Sequence, residues 1–340
     1  MKLEDLDREL EEKHLGGFWS ANITGFEEDI EPSTIVEPYL WKWSDIYDGL
    51  LKAGDLVSLE KSKRRTIRLF NPGVPRPTGA TTTIHMSVQL VKPGEIAKAH
   101  RHTLTAIRFV VKGSGGCTTV EGERFTMSPG DLILTPNWTW HDHFNGTGEG
   151  MVWLDGHDEP LLKSLEVIAV EMFGQKQQPV ETIPDFSLHK YGLARPCGTS
   201  PDLHDPPFRY PWADTCKSLQ ALAVTEGNPY DGIMLNYVNP RTNGPTVRTI
   251  GCAIQMLRPG EKTKTHRHTS STIYHAFRGS GCTIVNDQRL EWSEGDCFTV
   301  PLWSWHRHEA ESGEEAVIFS LTDRPVKEAL GLYREQAQQA

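Results

Sequence analysis

The sequence predicts an all-β chain built from two copies of one barrel or sandwich domain, with helical segments around them. Three observations carry this. From about Thr81 onward, short β-rich runs are separated by Gly or Pro at the spacing of an all-β domain. The same order of runs returns later in the chain, residue against residue. One histidine pattern also occurs twice, 166 residues apart: His100-Arg101-His102 lies 41 residues before His141-Asp142-His143, and His266-Arg267-His268 lies 40 residues before His306-Arg307-His308.

A chain of 340 residues suits two medium domains, and its 37% hydrophobic and 24% charged content is that of a soluble globular protein. A formal charge of −10 without a long basic run leaves no electrostatic footprint for nucleic acid or an anionic membrane, so the expected partner is a small molecule. The acidic start lacks the basic-then-apolar pattern of a secretory signal, and no apolar run approaches about 18 residues; the expected location is the cytoplasm. Six cysteines without a Cys-Xaa-Xaa-Cys pair read as reduced, mostly buried residues.

In chain order, Leu3, Leu6, Leu10 and Leu15 trace a helical stripe that Gly16-Gly17 ends. Ser44 is the expected N-cap of a second helix carrying Ile46, Leu50 and Leu51, with Gly54 as its stop. A basic stretch follows, with Arg64, Arg65 and Arg68. The strands then run Thr82–Val91, Thr105–Lys112, Cys117–Val120, Asp131–Thr135 and Met151–Trp153. In the repeat, Gln89 through Glu95 matches Gln255 through Glu261, and Gly130 through Pro136 matches Gly295 through Pro301. Between the copies, a proline-containing stretch without clear periodicity reads as an ordered connector, because so long a free loop is uncommon in a compact protein. Val326, Leu330 and Tyr333 suggest a C-terminal helix.

On a strand, residues i and i+2 share a face, so His100 and His102 point inward together while Arg101 points out. His141 follows a Gly-Asp turn, a short apolar strand and Pro136, which brings a third imidazole back across the barrel. Three neutral nitrogens holding a divalent metal leave positions open for ligands, as a catalytic centre requires. The ordinary alternative, hydrogen-bonded structural histidines, does not account for the third residue, the flanking Gly and Pro and the near-copy.

Gly94, five residues, His100-Arg101-His102, then Gly130, five residues, Pro136, His141 and Asn145 resemble the two cupin motifs, and the chain resembles a bicupin: two double-stranded β-helix (jelly-roll) barrels with helical N-terminal and C-terminal extensions. The implied layout is an N-terminal helical arm at 1–75, a catalytic cupin at 76–160, a connector at 161–235, a second cupin at 236–324 and a C-terminal helix at 325–340. The glutamate common in cupins four residues after the second histidine is absent: Ala106 stands there, and Thr272 in the second copy. That argues against a manganese bicupin of the oxalate decarboxylase type. A non-catalytic binding bicupin would not need the triad. The remaining pattern resembles the gentisate 1,2-dioxygenase family, which includes salicylate and 1-hydroxy-2-naphthoate dioxygenases. It rests on Arg68 through Gly73, Trp138 through His143, Trp153-Leu154-Asp155-Gly156, Tyr237 through Pro240 and Ala329 through Tyr333, over about residues 38–335.

The resemblance implies Fe(II) on His100, His102 and His141, one catalytic ion per subunit, a homotetramer, and insertion of both atoms of O2 across the C1–C2 bond of a 2-hydroxybenzoate. The first candidate substrate is gentisate, giving maleylpyruvate; salicylate, a 5-substituted salicylate or 1-hydroxy-2-naphthoate is the alternative. Arg108, six residues beyond His102 on the same face, would clamp the substrate carboxylate or pair with an internal acid. Gln89 would donate to the substrate or serve as a polar residue at the core's edge. His143 reads as an acid/base or orienting group, or as structural support. Asp155 resembles a family acid that orients His143 or the inner histidines. Arg64 and Arg68 would cap the mouth, reach a neighbouring subunit's site or form a solvated cationic face. His85, four before Gln89, puts an imidazole where an apolar residue would ordinarily line a ring pocket, which brings 5-substituted salicylates into view. The paired Trp138, Trp140, Trp303 and Trp305 read as core packing. In the second copy His266, His268 and His306 keep a triad, but Tyr274 replaces Arg108 and Ala310 replaces Asn145; the expected role is chiefly structural, with optional metal.

Overall fold

The structure, a computed structural model, describes residues 2–19, 31–62, 64–192, 196–197, 205–311 and 313–338. It divides into two units, Met1–Thr34 and Ile35–Ala340. The first carries the leucine-striped helix Leu3–Glu12, which stops before the glycines, with His14 in the left-handed region at φ 56°.

The second unit is two barrels, each a six-stranded sheet facing a five-stranded one. In the first barrel the larger sheet runs Phe208–Tyr210, Leu132–Thr135, Ala106–Lys112, Met151–His157, His85–Val91, Thr66–Leu69. The smaller runs Val170–Met172, Ile96–His102, His141–Phe144, Cys117–Val120, Glu123–Thr126. The second barrel repeats this order, strand for strand. Its larger sheet runs Tyr39–Trp41, Cys297–Val300, Thr272–Arg278, Ala316–Thr322, Gly251–Leu257, Ile233–Tyr237. Its smaller sheet runs from Glu335–Ala337, through His266–His268, His306–Ala310 and Gly281–Val285, to Gln288–Trp292.

The two barrels share one core. Phe109 of the first stacks on Phe319 of the second at 4.1 Å and 11°, and meets Phe277 edge-on at 5.1 Å. Burying rings of this size contributes about 1.5–3 kcal/mol each.

Each barrel is also completed by chain leading into the other. Tyr39–Trp41 and the helix Trp43–Leu56 precede the first barrel, yet the strand pairs with Cys297–Val300 of the second. The helix does not use Ser44 as its cap; Asp296 Oδ1 accepts the Trp43 N–H at 2.7 Å, and Asp296 Oδ2 receives Lys42 Nζ at 2.8 Å. Phe208–Tyr210 and the helix Trp212–Leu222 do the same on the first barrel, where Asp131 accepts the Trp212 N–H at 2.8 Å. Gly130 (φ 87°) and Gly295 (φ 93°) give these indoles room: a Cβ would lie 2.5 Å from Trp212 and 2.4 Å from Trp43. A second reciprocal pair closes the interface. Asp158 binds the Thr105 N–H and the Thr249 hydroxyl, while Asp323 binds the Ser271 N–H and the Thr83 hydroxyl.

Several expectations change. Gly54 does not stop its helix; it is buried inside it, where a Cβ would sit 3.2 Å from Leu90. The segment 1–75 is not only a helical arm, because Thr66–Leu69 already pairs with His85–Val91. The 161–235 connector contributes strands to the first barrel, and Ile233–Tyr237 already belongs to the second. The C-terminal segment is a short helix, Arg324–Ala329, and then a strand, Glu335–Ala337, on His266–His268. Residues 339–340 lie outside the described part. The cysteines are free thiols, four of them buried. No helix among the described residues is long and apolar enough to cross a membrane.

Candidate metal centre and active-site pocket

His100 and His141 sit directly opposite on paired strands, with a bulge between Ala97 and His100 that turns the histidine strand toward the interior. The ring centroids of His100, His102 and His141 lie 4.3–5.2 Å apart. Among the described residues this is the one group of His, Cys, Asp or Glu side chains compact enough for an ion, with ligating atoms within 4.8 Å of one another. Backbone carbonyls set two of the tautomers: His102 Nδ1 lies 2.8 Å from Leu104 O and His141 Nδ1 3.0 Å from Thr139 O, so each Nδ1–H donates outward and each Nε2 lone pair is left for a metal. His100 Nδ1 has Lys98 O at 3.1 Å and the donor Arg64 Nη2 at 2.8 Å. Burial is the first cause holding all three neutral, His100 to about 3, His102 to about 4 and His141 well below the usual range. A neutral imidazole set without a carboxylate fits a divalent ion that retains its charge for an anionic ligand.

Behind the triad lies a cavity of about 230 Å³. Its wall is a grid set by antiparallel register, because alternate residues of four neighbouring strands face inward. Thr66 pairs with Gln89 in the innermost row. The middle row is Arg68, Ser87, Asp155 and Arg108, each opposite the next. The outer row is His85, His157 and Ala106.

Arg108 is buried, and its Nε lies 3.2 Å from Asp155 Oδ1, so the internal acid is its partner. Asp155 also accepts the Trp153 indole N–H at 2.9 Å. It therefore orients Arg108 and Trp153, and the expected contact with His143 or the metal histidines is not made. Burial pushes the Asp155 carboxyl up, against the opposing pull of Arg108. Gln89 Nε2 is buried without a hydrogen-bond acceptor in the protein. His143 Nδ1 lies 2.9 Å from the Thr118 hydroxyl, which itself donates to Met127 Sδ at 3.4 Å. The hydroxyl therefore accepts from Nδ1–H, and His143 Nε2 carries the lone pair. Arg64 Nη2 lies 2.8 Å from His100 Nδ1 and 3.1 Å from its Nε2; burial lowers its pKa to about 10. Arg65, on the opposite face, pairs with Glu95.

The cupin domain family model matches residues 87–157 and 253–322. Over 314 residues the chain is 43% identical to the 5-aminosalicylate 1,2-dioxygenase of Comamonas sp, covering 90% of this chain and 83% of that protein. It is 36% identical to gentisate 1,2 dioxygenase 1 of Aquipseudomonas alcaligenes, covering 90% and 88%. The chain belongs to the gentisate and salicylate 1,2-dioxygenase family of ring-cleaving bicupins. The crystal structure of the salicylate 1,2-dioxygenase from Pseudaminobacter salicylatoxidans superimposes with a TM-score of 0.89 at 32% identity, covering 99% of this chain and 97% of that one. A structure of its gentisate adduct gives 0.90 at 31%, covering 99% and 94%.

In this dioxygenase, several residues take places the sequence did not indicate. His157, Ser87, Thr66 and Glu159 line the pocket. The signal for His157 was its position two residues after Asp155, hidden because the strand was expected to end at Trp153 while it continues to His157. Asn145 lies outside the pocket; it organises a turn, donating to Val91 O and Glu149 O. The paired tryptophans are not core. Trp138 and Trp140 sandwich Arg101 at 4.6 and 4.4 Å on the barrel's outer side, as Trp303 and Trp305 do Arg267 at 4.3 and 4.4 Å.

The dioxygenase's second triad is occluded. His266, His268 and His306 have centroids 4.4–5.7 Å apart, but Tyr230 stacks on His266 at 5.2 Å, and Glu335 of the terminal strand reaches its Nδ1 at 3.4 Å. Tyr274, in the place of Arg108, stacks on Phe298 at 4.9 Å.

Proposed function

We propose that this ring-cleaving dioxygenase acts on a one-ring 2-hydroxybenzoate, with gentisate giving maleylpyruvate as the leading substrate and product, at a single ferrous site in the N-terminal barrel. The observation that carries the reading is a neutral three-histidine cluster opening onto a small polar pocket in which three arginines, Arg64, Arg68 and Arg108, face two carboxylates, Asp155 and Glu159. That excess of positive charge suits an anionic chelating acid. The cavity of about 230 Å³ is of the size that holds a small aromatic acid.

His100, His102 and His141 would hold Fe(II), which supplies the redox centre for inserting both atoms of O2 across the C1–C2 bond. Arg64, beside His100, and Gln89, with its unspent amide donor, position the substrate carboxylate. Arg108 contributes to that clamp through its remaining N–H groups, with Asp155 fixing the guanidinium plane. His143 Nε2 takes the proton of the 2-hydroxyl as the substrate chelates, and Thr118 holds the imidazole in the required tautomer. The second barrel serves as scaffold, its triad covered by Tyr230 and the terminal strand. A homotetramer in the cytoplasm is the assembly and location that accord with the family.

The test is anaerobic loading with Fe(II), then oxygen uptake and ring-cleavage absorbance with gentisate, salicylate and 1-hydroxy-2-naphthoate. Uptake of one O2 per gentisate supports the proposal; no uptake with any of the three overturns it.

A further inference from the structure

We propose that the outer row of the pocket, His85 and His157 with the Arg68–Glu159 ion pair beside them, is a subsite for a hydroxyl or amino group on the substrate ring, at the position remote from the chelating edge. The inference rests on the dioxygenase reading above and concerns which ring the pocket selects.

The geometry sets the place. The His157 ring lies 6.2 Å from that of ligand His102, edge to face, and the His85 ring stacks on His157 at 5.8 Å and 24°. A ring chelated at the triad through its carboxylate and 2-oxygen turns its far edge toward this row. An apolar ring edge would call for apolar lining, yet here only Leu104 and Ala106 supply it.

The chemistry sets the group. Arg68 Nη2 lies 3.3 Å from His85 Nδ1 and 2.6 Å from Glu159 Oε2. Arginine can only donate, so His85 Nδ1 is an acceptor already in use and its proton is on Nε2. Glu159 spends Oε2 on Arg68 and keeps Oε1 as an acceptor at the pocket mouth. A neutral imidazole pairs one donor with one acceptor, and His85, with Nδ1 accepting from Arg68, turns an N–H donor at Nε2 to the pocket beside the His157 ring. A hydroxyl or amino substituent can both donate to Glu159 or an imidazole nitrogen and accept from an imidazole N–H. Hydrogen, methyl or halogen leaves the buried His85 and its neighbours unmatched, and a site built to hydrogen-bond a substituent discriminates strongly against its absence. A nitro group accepts only, and meets a carboxylate.

The test uses Fe(II)-loaded protein under anaerobic conditions. Calorimetry gives dissociation constants for salicylate, 5-methylsalicylate, gentisate and 5-aminosalicylate, and oxygen uptake is then measured on the same set. Wild type should favour the 5-hydroxy and 5-amino acids over the 5-H and 5-methyl acids by roughly tenfold to a hundredfold in both readouts, the span of a hydrogen bond to a charged group. Glu159→Gln and His157→Leu should each shrink that ratio, whatever their absolute rates, with circular dichroism verifying their fold. Ratios near one in wild type, or ratios unchanged in both variants, overturn the subsite while leaving ring cleavage standing. A binding preference without oxygen uptake from any acid overturns the dioxygenase reading and keeps the subsite. Absence of both binding and uptake overturns the two together.

Discussion

Replacing Asp155 with Asn removes one negative charge from beneath Arg108 and changes little else, because the amide oxygen can still accept the Trp153 indole N–H now held at 2.9 Å. The Arg108 and Asp155 side chains are 3% and 4% exposed, and their charged atoms are 3.2 Å apart. At an effective dielectric of about 20, that separation is worth about 5 kcal/mol of attraction. Removing one partner leaves a buried guanidinium uncompensated, and losses of about 3–5 kcal/mol follow in comparable pairs. Urea unfolding of the metal-free protein, followed by tryptophan fluorescence, should therefore show Asp155→Asn destabilised by about 3–5 kcal/mol. The double variant Arg108→Met with Asp155→Leu should recover most of it, since a packed apolar pair does not bear the desolvation of two charges. A loss below about 1 kcal/mol, the worth of an exposed pair, would refute this account of the pocket floor.

Three further outcomes follow from the same geometry. His102→Ala should lose bound iron and lower oxygen uptake by more than about a hundredfold, beyond the usual cost of losing a supporting residue, whereas His268→Ala should keep both; iron counting beside oxygen uptake reads this. His85 and His157 have folded pKa values of about 2 and 3, depressed from the ordinary 6.5, so their contribution to stability is present above pH 6.5 and is lost as pH falls toward 3. The decline, up to about 1.4 kcal/mol per pH unit for each, should flatten in the metal-free His85→Phe, His157→Phe double variant when unfolding free energy is measured against pH. Asp296→Ala should cost about 1–3 kcal/mol in the same unfolding assay, because it uncaps the Trp43–Leu56 helix and strips Lys42 of its ion pair.

The triad was legible because two rigid periodicities coincide: the alternation of a strand places His100 and His102 together, and the repeat supplies an independent copy of the spacing. Alternation likewise put Arg108, Gln89 and His85 on the inward wall. What sequence alone could not supply was pairing. Arg108 and Asp155 meet because their strands lie in register, and nothing local in either strand encodes that. His157 was hidden by ending the strand at Trp153; it runs on through Gly156, where a Cβ would lie 2.4 Å from Leu321. The terminal strand was mistaken for helix because Val326, Leu330 and Tyr333 fit a helical spacing, although Asp158-Glu159-Pro160 and Asp323-Arg324-Pro325 already mark equivalent exits from the two barrels. Asn145 stands in the cupin motif and differs between the copies, but its part is local: its amide closes a turn.

The exchanged leading segments have a consequence for how such a duplicated gene can change. The strand and helix anchored on Asp296 run on, through one short turn, to Arg64, Thr66 and Arg68, so the second barrel is the mould in which part of the first barrel's wall is cast. The surface that grips Trp43 is tied to that task whatever its own histidines do. The second half is thereby kept in the chain, and cutting the gene back to a single copy would remove the foundation on which the first barrel's pocket stands.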